Sequence, residues 1–497
     1  MLLQTPCPRT WPSFDVTARR NDRQGMKKET EKHARPAYHF TPLAHWMNDP
    51  NGLVFHEGVY HLFYQYHPYS TEWGPMHWGH ATSTDLIHWK EHAVALEPDD
   101  LGMIFSGSAV LDAHNTSGLS PAGQAPLVAV FTHSLPDSAE PGRALQQQSL
   151  AYSVDAGLTW QKYAGNPVIS TPGLKDFRDP KVFWHAASSR WVMSLACGDH
   201  IAFYASTDLK SWRWLSNFGH TAGAHGGVWE CPDLVALTLD GRERWVLLVS
   251  LNPGGPQGGS ATQYFVGDFD GVTFTPEHAD TRWLDWGADN YAGVTWGNTP
   301  GRCLFIAWMS NWRYAHQVPT SPWRGAMTLP RDLQLQDVGG QTYLCSPVAA
   351  EVAQAFHPLS YGAQDENNHL ELSSWVKAAQ SGFRLNILAD ARSSWYAQLQ
   401  NDDGQQWRLS FEPEKALYEV DRSQSQSKSV TPEFAVAHRA PRLSHSETCE
   451  VALYVDTISM ETIADQGLTS ITSLVFPDSP WTAVFVQGNL TVSFSVL

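Results

Sequence analysis

Three acidic residues sit in settings that suit acid–base work better than solvation. Asp49 lies in Asn48-Asp49-Pro50-Asn51-Gly52, Asp179 in Phe177-Arg178-Asp179-Pro180, and Glu230 in Trp229-Glu230-Cys231-Pro232. A proline lacks a backbone donor and pushes the residue before it out of the α region, so none of these stretches is a helix interior. Asn51-Gly52 favours positive φ, and the first stretch reads as a rigid turn that presents Asp49 from a strand end. Taken singly, each has an ordinary explanation: a turn cap, an Arg–Asp ion pair, a glutamate that happens to follow a tryptophan. Three turn-bound carboxylates in one aromatic-rich region call for more. Cleaving a glycosidic bond needs two carboxyl groups, one ionised and one protonated near neutral pH. Trp229 and a neighbouring carboxylate would raise Glu230 by burial and repulsion, and amides of its own turn would keep Asp49 ionised.

Positioning such groups falls to strands. Tyr38-His39-Phe40, Leu53-Val54-Phe55 and Tyr60 to Tyr66 read as strands around the first carboxylate. From Tyr38 to about Leu333 the chain is a series of short aromatic or β-branched runs broken by Gly, Pro, Asn or Asp, with little helical periodicity. Ser83-Thr84-Asp85-Leu86-Ile87-His88-Trp89 returns as Ser206-Thr207-Asp208-Leu209-Lys210-Ser211-Trp212. Looser copies start at Ser153 and Gly267. Each reads as a hairpin turn leading into an inward-packing aromatic. Spacings of roughly 50–70 residues suit four-stranded propeller blades, five of them over residues 36–340. Beyond a connection near Gly339-Gly340 and Ala349-Ala350-Glu351, short alternating strands such as Phe383 to Leu388 and Glu450 to Val455 predict a β-sandwich over 350–497. The expected fold class is therefore all-β, a five-bladed β-propeller followed by a C-terminal β-sandwich. Residues 1–35, rich in Arg, Lys, Glu, Pro and Thr, read as a disordered N-terminal extension.

Composition narrows the function. A chain of 497 residues calls for more than one core. A net charge of −17 argues against a nucleic-acid partner. No apolar run reaches the roughly 18 residues that span a bilayer, so no membrane partner is expected. No secretory leader is visible either, which gives a cytoplasmic expectation. The 22 tryptophans offer flat faces for sugar rings as well as for a core. Six scattered cysteines without a Cys-x-x-Cys pair suit free thiols. Histidines 77, 80, 88 and 92 cluster in strand-like sequence with no thiol or carboxylate to complete a ligand set, so neither a metal nor another cofactor is expected.

Trp46 to Gly52, Phe105-Ser106-Gly107-Ser108, Arg178-Asp179-Pro180 and Glu230-Cys231-Pro232 stand in an order that resembles the motif boxes of glycoside hydrolase family 32, the invertases, exo-inulinases and levanases. The resemblance runs from about Pro36 to the C-terminus, and is looser over Leu453 to Asp456 and Leu474 to Pro477. It implies a propeller and a sandwich, and retaining hydrolysis of terminal β-D-fructofuranosyl units of inulin, levan or sucrose. Asp49 would be the nucleophile, Glu230 the acid and then the base, and Asp179 with Arg178 would hold fructose hydroxyls. Asn48, Gln65, Trp73, Phe105, Ser106 and Trp312 would line the pocket, with Cys231 beside the acid. The two reacting carboxyls would lie about 5–5.5 Å apart. The stretches 252–265, 289–293 and 308–312 are similar to those of exo-acting members. Thr457-Ile458-Ser459-Met460 departs from the Arg-Ser-Ser-Val that many members carry, which puts the inter-domain face in question. Transfer of fructose to a sugar acceptor, or an inactive fructan-binding propeller, are the alternative readings.

Overall fold

The computed structural model describes residues 35–136, 144–170, 173–362, 369–379, 382–426 and 430–497. The expected extension over 1–35 lies, but for Arg35, outside them.

Five sheets are arranged around an axis, each starting with its innermost strand. These innermost strands are His45–His56, Met103–Leu111, Arg178–His185, Val228–Leu239 and Tyr291–Thr295. Each packs on the next, and the fifth returns to the first. Blades 1 to 4 add antiparallel strands outward in chain order; blade 5 adds Leu304–Trp308 and Arg331–Asp332. The ring closes between its ends. Gly297 N donates to Leu53 O and Phe55 N to Gly297 O (both 2.9 Å), and Trp323–Arg324 pairs in parallel with His45 and Trp46.

The sequence echoes mark one place in the architecture, the connection between the third and fourth strands of blades 1 to 4. Asp85 Oδ1 accepts from Ile87 N and His88 N, Asp208 Oδ1 from Lys210 N and Ser211 N, and Asp270 Oδ1 from Val272 N and Thr273 N. Asp155 in blade 2 reaches further, to Thr159 N four residues on, and the other three share one form. These are Asx turns, in which a short carboxylate replaces the backbone acceptor and lets the chain reverse tightly. The aromatic that follows packs inward, as Trp160 does edge-on against Phe63 at 5.4 Å.

Two expectations are corrected. The Asn48 to Gly52 stretch is not a turn between strands but part of the 12-residue strand His45–His56, with register shifts at Met47/Pro50 and Asn51/Val54. A β-bulge accommodates the proline and the positive φ of Gly52 (54°) without ending the strand. Gly52 is also required sterically, since a Cβ there would lie 2.7 Å from the Trp78 ring and 2.8 Å from that of Phe63. Tyr38-His39-Phe40, expected as a strand, belongs to no sheet; Phe40 O accepts from Met327 N of the propeller, while Asp456 and Glu461 of the second domain hold Tyr38 N and the His39 ring.

That domain is a sandwich of two six-stranded antiparallel sheets, with two short helices, Ala350–Ala355 and Ser373–Ala379, on the way into it. Strands such as Phe383–Asp390 alternate buried and open positions, which is how one face fills the core. It meets the propeller through buried ion pairs. Arg331 lies between Asp285 (2.9 Å) and Glu461 (2.7 Å), and Arg422 bonds Asp289 (2.6 Å) and Tyr314 OH (2.9 Å). His39 bridges Asp456 (2.8 Å) and Glu461 (2.9 Å). The departing stretch 457–460 thus sits inside this face, with Ser459 Oγ 3.4 Å from His39 Nδ1. The five cysteines among the described residues are buried and free.

Burial alone would lower the His39 pKa, but the hydrogen bonds to Asp456 and Glu461 raise it to about 9. A raised pKa stabilises the fold fully below the unfolded value of 6.5 and loses that contribution as pH rises through about 9. Thermal melts across this window should therefore fall more steeply for the native chain than for His39→Gln; parallel curves would count against a charged His39.

Candidate active site

All five blades deliver a side chain to one end of the central channel. Asp49 comes from blade 1, Ser106 from blade 2, Asp179 from blade 3, Glu230 from blade 4 and Tyr291 from blade 5, each within the first five residues of its innermost strand. The backbone explains this. Register shifts fall at Met47/Pro50, Ile104/Gly107, Glu230/Asp233 and Tyr291/Val294, and opposite Arg178 at Ser194/Ala196. Asp179, Cys231 and Ala292 have φ of 65°, 45° and 54°. A bulge inserts a residue, bends the strand and re-aims the side chain beside it. Repeated in five blades, it turns five side chains into the channel mouth.

Each oxygen of Asp49 is held by a relay of side chains. Trp46 Nε1 donates to Asn48 Oδ1 (2.7 Å), and Asn48 Nδ2 to Asp49 Oδ1 (2.9 Å). Ser106 Oγ donates to Asp49 Oδ2 (2.7 Å). Behind it Asn51, oriented by its neighbours, donates to Ser106 Oγ (3.2 Å) and accepts from Gln65 N and Nε2 (both 3.0 Å). The expected backbone donors to Asp49 are replaced by these side chains and the Cys231 thiol. Burial raises the Asp49 pKa; Asn48 and Ser106 oppose this and the Glu230 charge adds to it.

Arg178 is the cation among the carboxylates. Its Nη2 lies 2.9 Å from Glu230 Oε1, its Nη1 2.6 Å from Asp176 Oδ1, and its Nε 4.0 Å from Asp179 Oδ2. Asp179 is 5% exposed and accepts from Cys231 N (3.0 Å). Burial raises its pKa, Arg178 opposes, and Glu230 and Asp49 raise it further. Tyr291 OH donates to Glu230 Oε2. The cluster therefore holds a proton at a pH where separate carboxylates would hold none.

Two neighbours differ from expectation. Trp229 does not shield Glu230: adjacent residues on a strand face opposite ways, and the indole packs on Phe265 and His225 between blades while Glu230 turns to the channel. Cys231 sits less beside the acid than between the other two carboxylates, its Sγ 3.7 Å from Asp49 Oδ2 and 3.6 Å from Asp179 Oδ2. Burial and these charges raise its pKa, so it stays a thiol and a weak donor.

The other sequence candidates frame the mouth. Asn48 and Gln65 are buried and brace Asp49 from behind. Trp73 is 39% exposed and meets Phe105 edge-on at 6.2 Å, forming one rim. Trp312 stacks on Trp46 at 5.9 Å and forms another, its backbone N donating to Ser260 Oγ (3.1 Å) of the 252–260 loop. That loop's Gly259 has φ of 69°, and a Cβ there would lie 2.2 Å from Asn311 Oδ1. Tyr291 was missed as a site residue, although its position at the start of the fifth blade repeats the pattern of the four boxes. The four clustered histidines do not converge. His80 stacks on His92 at 4.8 Å and reaches His61 at 3.1 Å, His77 bonds Pro75 O, and His88 pairs with Asp85.

The models for glycosyl hydrolases family 32, N-terminal domain and C terminal, match residues 39–347 and 348–496. A levanase of Bacillus subtilis is 44% identical over 465 residues, 89% of this chain and 66% of the levanase. An extracellular exo-inulinase of Aspergillus niger is 41% identical over 486 residues, 90% of each chain. The crystal structure of an exo-inulinase from Aspergillus awamori superposes with a TM-score of 0.87 at 35% identity, covering 95% of this chain and 99% of that one. From one end of the propeller to the last strand of the sandwich, the chain belongs to glycosyl hydrolases family 32.

Proposed function

We propose that this chain is a retaining, exo-acting β-fructosidase that releases terminal non-reducing β-D-fructofuranosyl units from fructans, sucrose or both. The observation that carries this reading is the meeting of Asp49, Asp179 and Glu230 at the channel mouth, with Arg178 beside Glu230 and Asp179 and the Cys231 thiol between Asp49 and Asp179. The likeness to a levanase and an exo-inulinase supports it, and favours hydrolysis over transfer or a binding-only role.

Asp49, held through both oxygens, attacks the anomeric C2 of the fructosyl unit. Glu230 gives its proton to the departing glycosidic oxygen, leaving a covalent fructosyl ester on Asp49. Glu230, now ionised, takes a proton from water, whose oxygen attacks C2 and frees Asp49. Asp179 accepts from fructose hydroxyls, and Arg178 balances the negative charge as Glu230 alternates between its two states. Trp73 and Trp312 offer faces to the sugar rings, and the 252–260 loop behind Trp312 narrows the mouth towards one chain end.

Four outcomes test this. Asp49→Asn should lose several orders of magnitude in turnover while still binding fructose; near-normal activity would remove Asp49 as nucleophile. Glu230→Gln should slow natural fructosides by roughly 10²–10⁴-fold and aryl fructosides with good leaving groups much less. Equal slowing of both would contradict its role as the acid. Arg178→Gln removes the positive charge that opposes the raised Asp179 pKa, so the acid limb of kcat/KM should move to higher pH. An unmoved limb would separate Arg178 from the ionisation that matters. Product analysis by anion-exchange chromatography decides the mode of attack: fructose alone from inulin and levan in the first minutes supports exo-action, and short oligofructosides overturn it.

A further inference from the structure

A second group of side chains converges at the same end of the propeller, outside the carboxylates. In blade 3 Ala196 lies opposite Arg178, so the turn 197–200 that follows it stands at the end where the carboxylates gather. The next strand pairs Ile201 with Phe218, which brings His200 beside His220 although 20 positions separate them. One ligand-capable atom from each of Asp199, His200 and His220 lies within 4.8 Å of the other two. The two imidazoles face each other at 4.1 Å with 31° between their planes, and Asp199 Oδ1 is 3.3 Å from His200 Nδ1. A third imidazole, His225 in the loop that follows His220, stacks on the Trp229 indole at 5.2 Å. The mechanism above uses none of these four residues.

We propose that Asp199, His200 and His220 bind a divalent transition-metal ion of the zinc class at the rim of the active site. Two imidazoles and a carboxylate are a donor set that zinc accepts, with water filling the remaining position. As they stand, the stacked rings do not aim their in-plane lone pairs at one point. Binding requires each to rotate about its terminal torsion, which the exposed His220 and Asp199 leave free. The ion would fasten two segments that flank the approach to Glu230, the turn 197–200 and the loop 219–227. Gly198 O already accepts from Trp229 N (2.7 Å), immediately before Glu230.

Equilibrium dialysis of the full chain against Zn²⁺ alone should leave one equivalent bound that His200→Ala/His220→Ala lacks. Co²⁺ in its place should give a visible tetrahedral absorption that the double variant and Asp199→Asn lose. Both variants should keep the thermal transition of the native chain without metal, which controls for folding. Equal metal retention by native and double-variant chains, or none by either, would overturn the site. Unchanged hydrogen exchange over 219–227 on adding Zn²⁺ would overturn the fastening of the loop.

Discussion

Everything in this molecule is subordinate to holding three carboxyl groups close together in a site that is largely out of water. Left to themselves Asp49, Asp179 and Glu230 would repel one another and swing toward solvent. Arg178 offsets only part of that, because it also pairs with Asp176. The rest of the restraint is mechanical. Each carboxylate belongs to a different innermost strand, and each such strand is anchored to the others around a closed ring. The separation of the charges is therefore a property of ring closure, which depends on the few bonds joining Gly297 to Leu53 and Phe55 and the parallel pairing at His45.

The five bulges convert a structural repeat into a site. A regular innermost strand would alternate its side chains between the blades, and none would be specially aimed at the axis end. One inserted residue per blade breaks the alternation at the same height in every blade. This also accounts for the prolines. Pro50, Pro180 and Pro232 each follow within two residues of a carboxylate, at strand positions where a missing N–H costs least because the ladder is already interrupted. Proline there is part of what fixes the carboxylate, and its presence beside all three acids is one local rule applied three times.

Much of this was legible in the sequence, and the failures have a common cause. The Asx-turn echoes gave the blade repeat because a turn is a local event, encoded in four or five consecutive residues such as Ser83 to Ile87. The acids were visible because three carboxylates with a proline one or two residues on share one aromatic-rich region, in boxes that stand in the order of a known family. The bulge at Asp49 was misread as a turn because a bulge and a turn use the same residues, and only the partner strand Val59–His67 distinguishes them. Trp229 was assigned to Glu230 by adjacency, when the pleat sends neighbours to opposite faces. Tyr291 carries no charge and no adjacent proline, so its stretch 289–293 is marked only by likeness to exo-acting members; its role comes from being the fifth member of a ring. Likewise His200 and His220 meet only because their strands pair.

The sandwich binds the propeller near the place where the ring joins its two ends. His39 precedes the first blade, and Asp285, Asp289, Tyr314 and Arg331 all lie between the last strands of blade 4 and the end of blade 5. The sandwich residues Asp456, Glu461 and Arg422 grip these same segments. A buried ion pair contributes little net stability compared with a well-packed apolar contact, yet breaking one leaves an uncompensated charge and costs about 3–5 kcal/mol. Such pairs are poor glue and good keys: they penalise any arrangement of the two domains but one. Placed across the junction between the last blade and the first, they penalise in particular the opening of the ring, and with it the drift of Asp49 away from Asp179 and Glu230.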